Sequence, residues 1–147
     1  PRVRRQRQMC IRDRLEEEYD SREYQRSLSY LAYAKDLCEH YNFDRSKYRL
    51  CIKEKRLAAI TRSDFAKLKE DLQFLDNALK TVLLEYRDYF RERFVEGLSI
   101  RKYAEAHQLN RGSVDYMQKK FFSALARLLK ERDEAEGRYR LRKPAQN

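Results

Sequence analysis

Phe65, Leu68, Leu72, Leu75, Leu79, Val82 and Tyr86 recur at alternating steps of three and four residues. That spacing keeps them on one helical face, and with no breaker before Gly97 it predicts a continuous helix of up to about 50 Å. Thr61-Arg-Ser-Asp64 precedes it as a capping-box-like start. Upstream, Tyr24, Leu28, Leu31, Ala34, Cys38 and Tyr41 follow the same spacing and predict a first helix over residues 15–40. Tyr41-Asn-Phe-Asp44 reads as a turn, and a second helix over 46–60 places Tyr48, Cys51, Ile52, Leu57 and Ile60 inward. No stretch alternates apolar and polar residues long enough for a strand, and only three glycines and two prolines interrupt the chain. The expected fold is therefore all-α. The long seam has two uses: the first two helices fold back on it within one chain, or residues 65–86 pair with a second copy as a coiled coil. The first is favoured because the N-terminal helices also need a partner. A break near 80–85 would divide this scaffold, residues 15–85, from the C-terminal part of the chain.

Residues 86–132 carry a different pattern. Gly97 suits a helix C-terminus in the left-handed conformation, Ser99 suits the N-cap of a short helix over 100–107, and Asn110 suits the cap of a third. Ile100, Tyr103, Ala104 and His107 share one face of the short helix, with Ala104 small enough for a close helix crossing. Leu109 is expected to plug the turn, and Val114, Met117, Phe121 and Leu125 continue inward on the next helix. The all-α fold thus ends in a C-terminal helix-turn-helix, with residues 133–147 as a tail that loses its apolar face. Left outside at the start of the last helix are Arg111, Ser113, Asp115 and Tyr116, a polar set where such helices touch base edges in the major groove of double-stranded DNA. Arg111 suits a guanine edge. Asp115 suits a cytosine amino group or, preferably, the orientation of Arg111. Ser99, Arg101, Lys102, Lys119 and Lys120 suit phosphates. The tyrosines at inward positions, Tyr24, Tyr41, Tyr48, Tyr86 and Tyr103, are explained as core.

Leu98-Ser-Ile-Arg-Lys-Tyr-Ala-Glu-Ala-His-Gln-Leu-Asn-Arg-Gly-Ser-Val114 resembles region 4 of primary-type bacterial sigma factors and the small sigma-like activators of phages and mobile elements. The resemblance lies in the glycine-leucine-serine opening, the alanine-containing first helix and the asparagine-arginine start of the recognition helix. It implies a sequence-specific transcription regulator that reads a promoter element and contacts RNA polymerase. Residues 15–85 show no match to the promoter-melting domain of a complete sigma factor, which favours the activator type. One position departs from the pattern: Gln108 stands where glycine usually makes the turn, so it must take the left-handed conformation itself or reshape the turn. Two other classes fit parts of the pattern, a helical protein–protein adaptor that binds through its seam and a DNA-binding subunit of a phage packaging machine.

Charge sharpens this picture once its distribution is known. The chain carries a formal +10, but residues 1–14 hold six arginines against one aspartate, a net +5. That segment joins no apolar pattern and resembles translated sequencing-adapter DNA, so it is expected to be foreign or disordered; the alternative is a basic arm on phosphates. Residues 97–130 carry seven basic residues against two acidic ones, the other net +5, so the positive field coincides with the helix-turn-helix. No run of 18 apolar residues spans a membrane and no export leader is evident, which makes the expected location cytoplasmic and nucleoid-associated. Cys10, Cys38 and Cys51 form no paired framework, and with His40 they lack the spacing of a zinc site. Neither His40 nor His107 stands with a nucleophile and an acid, and no glycine-rich phosphate loop occurs, so neither enzyme activity nor a cofactor is expected.

Overall fold

The computed structural model describes residues 21–54 and 62–138, and among these it contains helices and no strand. The expected segment 1–14, the first helix's start, Leu57, Ile60, Thr61 and the tail from residue 139 lie outside them. The described chain begins with a helix over residues 21–28, α1, followed by α2 (Tyr30–Glu39), α3 (Tyr41–Glu54), α4 (Arg62–Lys80), α5 (Arg87–Phe90), α6 (Ile100–Ala106) and α7 (Arg111–Ala135). A 3₁₀ turn, Leu84–Tyr86, leads into α5, and a π-helical turn, Arg91–Val95, extends it.

The expected first helix is broken at Ser29, whose extended backbone and side chain cap α2 by accepting the Ala32 N–H at 3.0 Å. This break resets the helical phase. Tyr24, Leu28 and Leu31, expected inward, are 41–47% exposed, and α1 instead turns Arg22 and Arg26 toward the body. The expected turn at residues 41–44 is helical, with His40 alone separating α2 from α3. Tertiary contacts account for this: Tyr41 is buried, its ring edge meets Phe90 at 5.0 Å, and its hydroxyl donates to Asp76 at 2.9 Å. Along α3, Cys51 is buried and Tyr48 stacks on Phe65 of α4, but Ile52 faces out.

The long seam also breaks. Leu75 and Leu79 are buried as expected, whereas Val82 is 68% exposed and Leu83 takes the inward place. Thr81 initiates the change: its hydroxyl donates to the Asn77 carbonyl at 2.7 Å, and the Leu83 N–H reaches back to Ala78 at 2.7 Å. The apolar stripe is used within the chain, in one buried cluster that runs from Tyr33, Leu37 and Cys38 through Leu75 and Leu79 to Tyr89, Phe90, Tyr103, Phe121, Leu125 and Leu129. α2 packs along α7, α3 along α4, and α6 across α7.

An ionic cluster crosses this apolar core. Arg22 donates to Asp36 and Asp44, and Arg26 to Asp36 and Asp71. Arg132 of α7 donates to Asp71 at 3.1 Å, to Asp133 at 3.2 Å and to the Tyr33 hydroxyl at 3.3 Å. All four carboxylates are buried. Burial alone would raise the Asp36 pKa, but Arg22 and Arg26 hold it below the ordinary carboxylate range. Burial likewise opposes the charge on Arg132, and Tyr33, Asp71 and Asp133 more than reverse that effect. No buried side-chain nitrogen or oxygen among the described residues lacks a hydrogen bond, which is the condition under which buried charge is tolerated.

Candidate nucleic-acid interface

α5 and its π-helical turn end where the sequence places a stop. Gly97 has φ +81°, and the Leu98 N–H bonds back to the Glu92 carbonyl at 3.0 Å. Ser99 then accepts the Lys102 N–H at 3.1 Å and starts α6. Tyr103 and Ala104 are buried against α7, where Val114 is wholly buried. The turn from His107 to Asn110 is closed by a bond from the Leu109 N–H to the Ala104 carbonyl at 2.9 Å. Gln108 takes the left-handed conformation itself, at φ 55°, the only non-glycine with positive φ among the described residues. Asn110 caps α7 by accepting the Ser113 N–H at 2.7 Å.

Two expectations about the turn are corrected. Leu109 does not plug it but is 40% exposed, because the turn is closed by backbone bonds rather than by an apolar side chain. His107 is not inward either: its ring stacks on Tyr103 at 4.2 Å, and Nε2 lies 2.8 Å from a Glu92 carboxylate oxygen at the surface. That pair ties the end of α6 to the π-helical turn.

Arg111 and Ser113 are exposed at the start of α7, and Tyr116 is 61% exposed with the Lys120 ammonium 4.7 Å above its ring. Lys102 and Lys119 are exposed as well. Ser99 stands at the start of α6, its oxygen engaged as a cap, and the exposed Arg101 pairs with Glu105 at 3.3 Å. Asp115 departs from its expected role. It forms no ion pair with Arg111, is half-buried, and lies close enough to the buried Tyr89 for its charge to favour the protonated hydroxyl. Burial is the larger cause of the raised Tyr89 pKa, and the Arg93 guanidinium opposes it.

The exposed residues Tyr116, Lys119, Lys120, Arg127 and Lys130 fall within about 100° of one another around α7, on its outer face. They form a ridge about 21 Å long at the helical rise per residue. Among the described residues no carboxylate stands within ion-pairing reach of Arg111, Lys119, Lys120 or Arg127, and donors of this kind suit phosphate or base acceptors. Arg93 and Gln118, which meet behind this face, were not distinguishable in the sequence: nothing in the spacing separates Arg93 from its solvated neighbours Arg87 and Arg91.

Cys38 and Cys51 are buried free thiols, and burial pushes the Cys38 thiol well above its usual pKa. No group of three His, Cys, Asp or Glu residues that could hold a metal ion occurs among the described residues. No described helix is long and apolar enough to cross a membrane. No known family, curated protein or solved structure matches this chain.

Proposed function

We propose that this chain is a sequence-specific DNA-binding transcription regulator that reads duplex DNA with the N-terminal end of α7. The observation that carries the reading is a long helix whose capped start exposes Arg111 and whose next turns expose Tyr116, Lys119 and Lys120, the Lys120 ammonium lying over the Tyr116 ring, with α6 packed against the helix. A helix fits the major groove, and its first turns reach base edges while flanking cations meet phosphates. In this reading Arg111 and Tyr116 face bases, Lys102, Lys119 and Lys120 face phosphates, and Asp115 supports the reader from within. The resemblance to sigma region 4 extends the proposal to a promoter element as the target and RNA polymerase as a second partner. The adaptor alternative has less to work with, because Leu75, Leu79 and Leu83 of its seam are buried within the chain.

Fluorescence anisotropy on a duplex selected from a randomised pool, compared with random duplex at two salt concentrations, tests this. Arg111→Ala costs about 1–3 kcal/mol on the selected site and little on random DNA. Lys120→Ala weakens both similarly and lowers the salt slope by about one charge. Absence of duplex binding at low salt, or an equal effect of Arg111→Ala on both duplexes, refutes the base-reading assignment.

A further inference from the structure

The half-buried guanidinium of Arg93 joins three separate pieces of the helix-turn-helix. Nη1 donates to the Leu98 carbonyl at 2.6 Å, immediately before the cap of α6. Nη2 donates to Oε1 of Gln118 on α7 at 2.8 Å, and the same oxygen accepts the Tyr89 hydroxyl at 3.1 Å. Nε faces the Tyr89 oxygen at 3.4 Å, and the guanidinium carbon lies 5.0 Å from the centre of the Phe94 ring.

We infer that Arg93 is a positioning residue that sets the angle of α7 against α6 and thereby aims Arg111 and Tyr116; the inference rests on the DNA-reading assignment for its functional consequence, but not for its geometry. Apolar packing fixes the distance between two helices more firmly than their relative rotation, because ridges and grooves tolerate scatter of about 15–20° in crossing angle. A planar fork with acceptors in two elements removes that freedom, as a lysine, a single point donor, does not. The lever is long enough to matter. Arg111 lies about 10 Å along the helix axis from Gln118, so a tilt of about 10° moves it by about 2 Å, enough to break a two-bond base contact.

The test uses the full chain with Arg93→Met, Arg93→Lys, Gln118→Leu and Gln118→Glu. Residual dipolar couplings of backbone amides in α6 and in residues 112–130 report the interhelix angle without DNA, while anisotropy reports affinity for the selected and random duplexes. Arg93→Met and Gln118→Leu should rotate α7 and weaken the selected duplex about tenfold, the loss of one base contact. Random duplex should change by less than about threefold, because phosphate cations remain in place. Gln118→Glu should retain angle and specificity, since a carboxylate accepts both bonds, and Arg93→Lys should restore little. The double variant Arg93→Met/Gln118→Leu should be no worse than either single change. An unchanged angle in Arg93→Met, or equal losses on both duplexes, overturns the inference. If the wild-type chain binds no duplex, the DNA reading falls and the couplings alone decide the role of Arg93.

Discussion

Asp71 is the carboxylate on which the ionic cluster turns. It is 2% exposed and accepts the Tyr33 hydroxyl at 2.7 Å, Arg132 at 3.1 Å and Arg26 at 3.1 Å, joining α1, α2, α4 and α7. Asp71→Ala leaves two guanidiniums facing an empty position. Removing one partner of a buried pair typically costs about 3–5 kcal/mol, and Tyr33 loses Asp71 as an acceptor while keeping the Arg132 N–H on its hydroxyl oxygen. These losses are not additive here, because Arg26 keeps Asp36 and Arg132 keeps Asp133. The expected loss is therefore about 3–5 kcal/mol in total, a large share of a small domain's stability. Asp71→Asn keeps one oxygen for the Tyr33 hydroxyl and Arg132 but loses the charge and sets its amide N–H donors against the Arg26 donor, so it should cost less than Asp71→Ala without being mild. Urea unfolding followed by far-UV circular dichroism reads this as a lower midpoint at unchanged slope. Glu105→Ala, which removes the exposed pair with Arg101, should leave the midpoint within error. A loss below about 1 kcal/mol for Asp71→Ala, or one largely abolished in 1 M salt, would refute the buried-pair argument.

Backbone strain and acid response supply further checks. Gln108→Gly relieves a left-handed non-glycine at φ 55° and should raise stability by about 1 kcal/mol, whereas Gly97→Ala, at φ +81°, should lower it by a similar amount; thermal melts of both variants decide this. The Asp36 carboxyl is held below its unfolded pKa, so its contribution is fully present above the unfolded value and is lost as pH falls through the folded one. Stability should be flat with respect to this group above about pH 5 and decline below about pH 4. In Asp36→Asn that acid-side decline should be shallower, and an unchanged acid profile would contradict the assignment.

Local chemistry made the helix-turn-helix legible in the sequence. Ser99 and Asn110 bond to amides three residues on, and the consequences of Gly97 and Gln108 are confined to single φ angles. The periodic set Val114, Phe121 and Leu125 is buried for the same reason: its helix is regular throughout. The scaffold was less legible because its decisive contacts are distant in sequence. Arg26 meets Asp71, which turns the arginine face of α1 inward in place of Tyr24 and Leu28, and Tyr41 meets Asp76 where the sequence suggested a turn. At Val82 a five-residue backbone bond from the Leu83 N–H to the Ala78 carbonyl accompanies a register shift of one residue, which a heptad pattern cannot signal. In the site, exposed cations on the last helix were readable from charge and spacing, but the bonds that Tyr89 and Arg93 make to Gln118 join residues 29 and 25 positions apart.

The single helix α7, Arg111–Ala135, begins at the exposed end that carries Arg111 and finishes in the ionic cluster, where Asp133 is wholly buried. Its hydrogen-bond ladder leaves no weak point at which the first half could melt while the second stays folded. Amide exchange from Val114 to Leu129 should therefore follow one global opening rather than two separate ones. The same continuity limits how the segment can be transplanted. A recombination that carried only residues 97–120 into another protein would bring the reading surface but leave behind Leu125, Leu129 and the α2 wall that keep its axis in place.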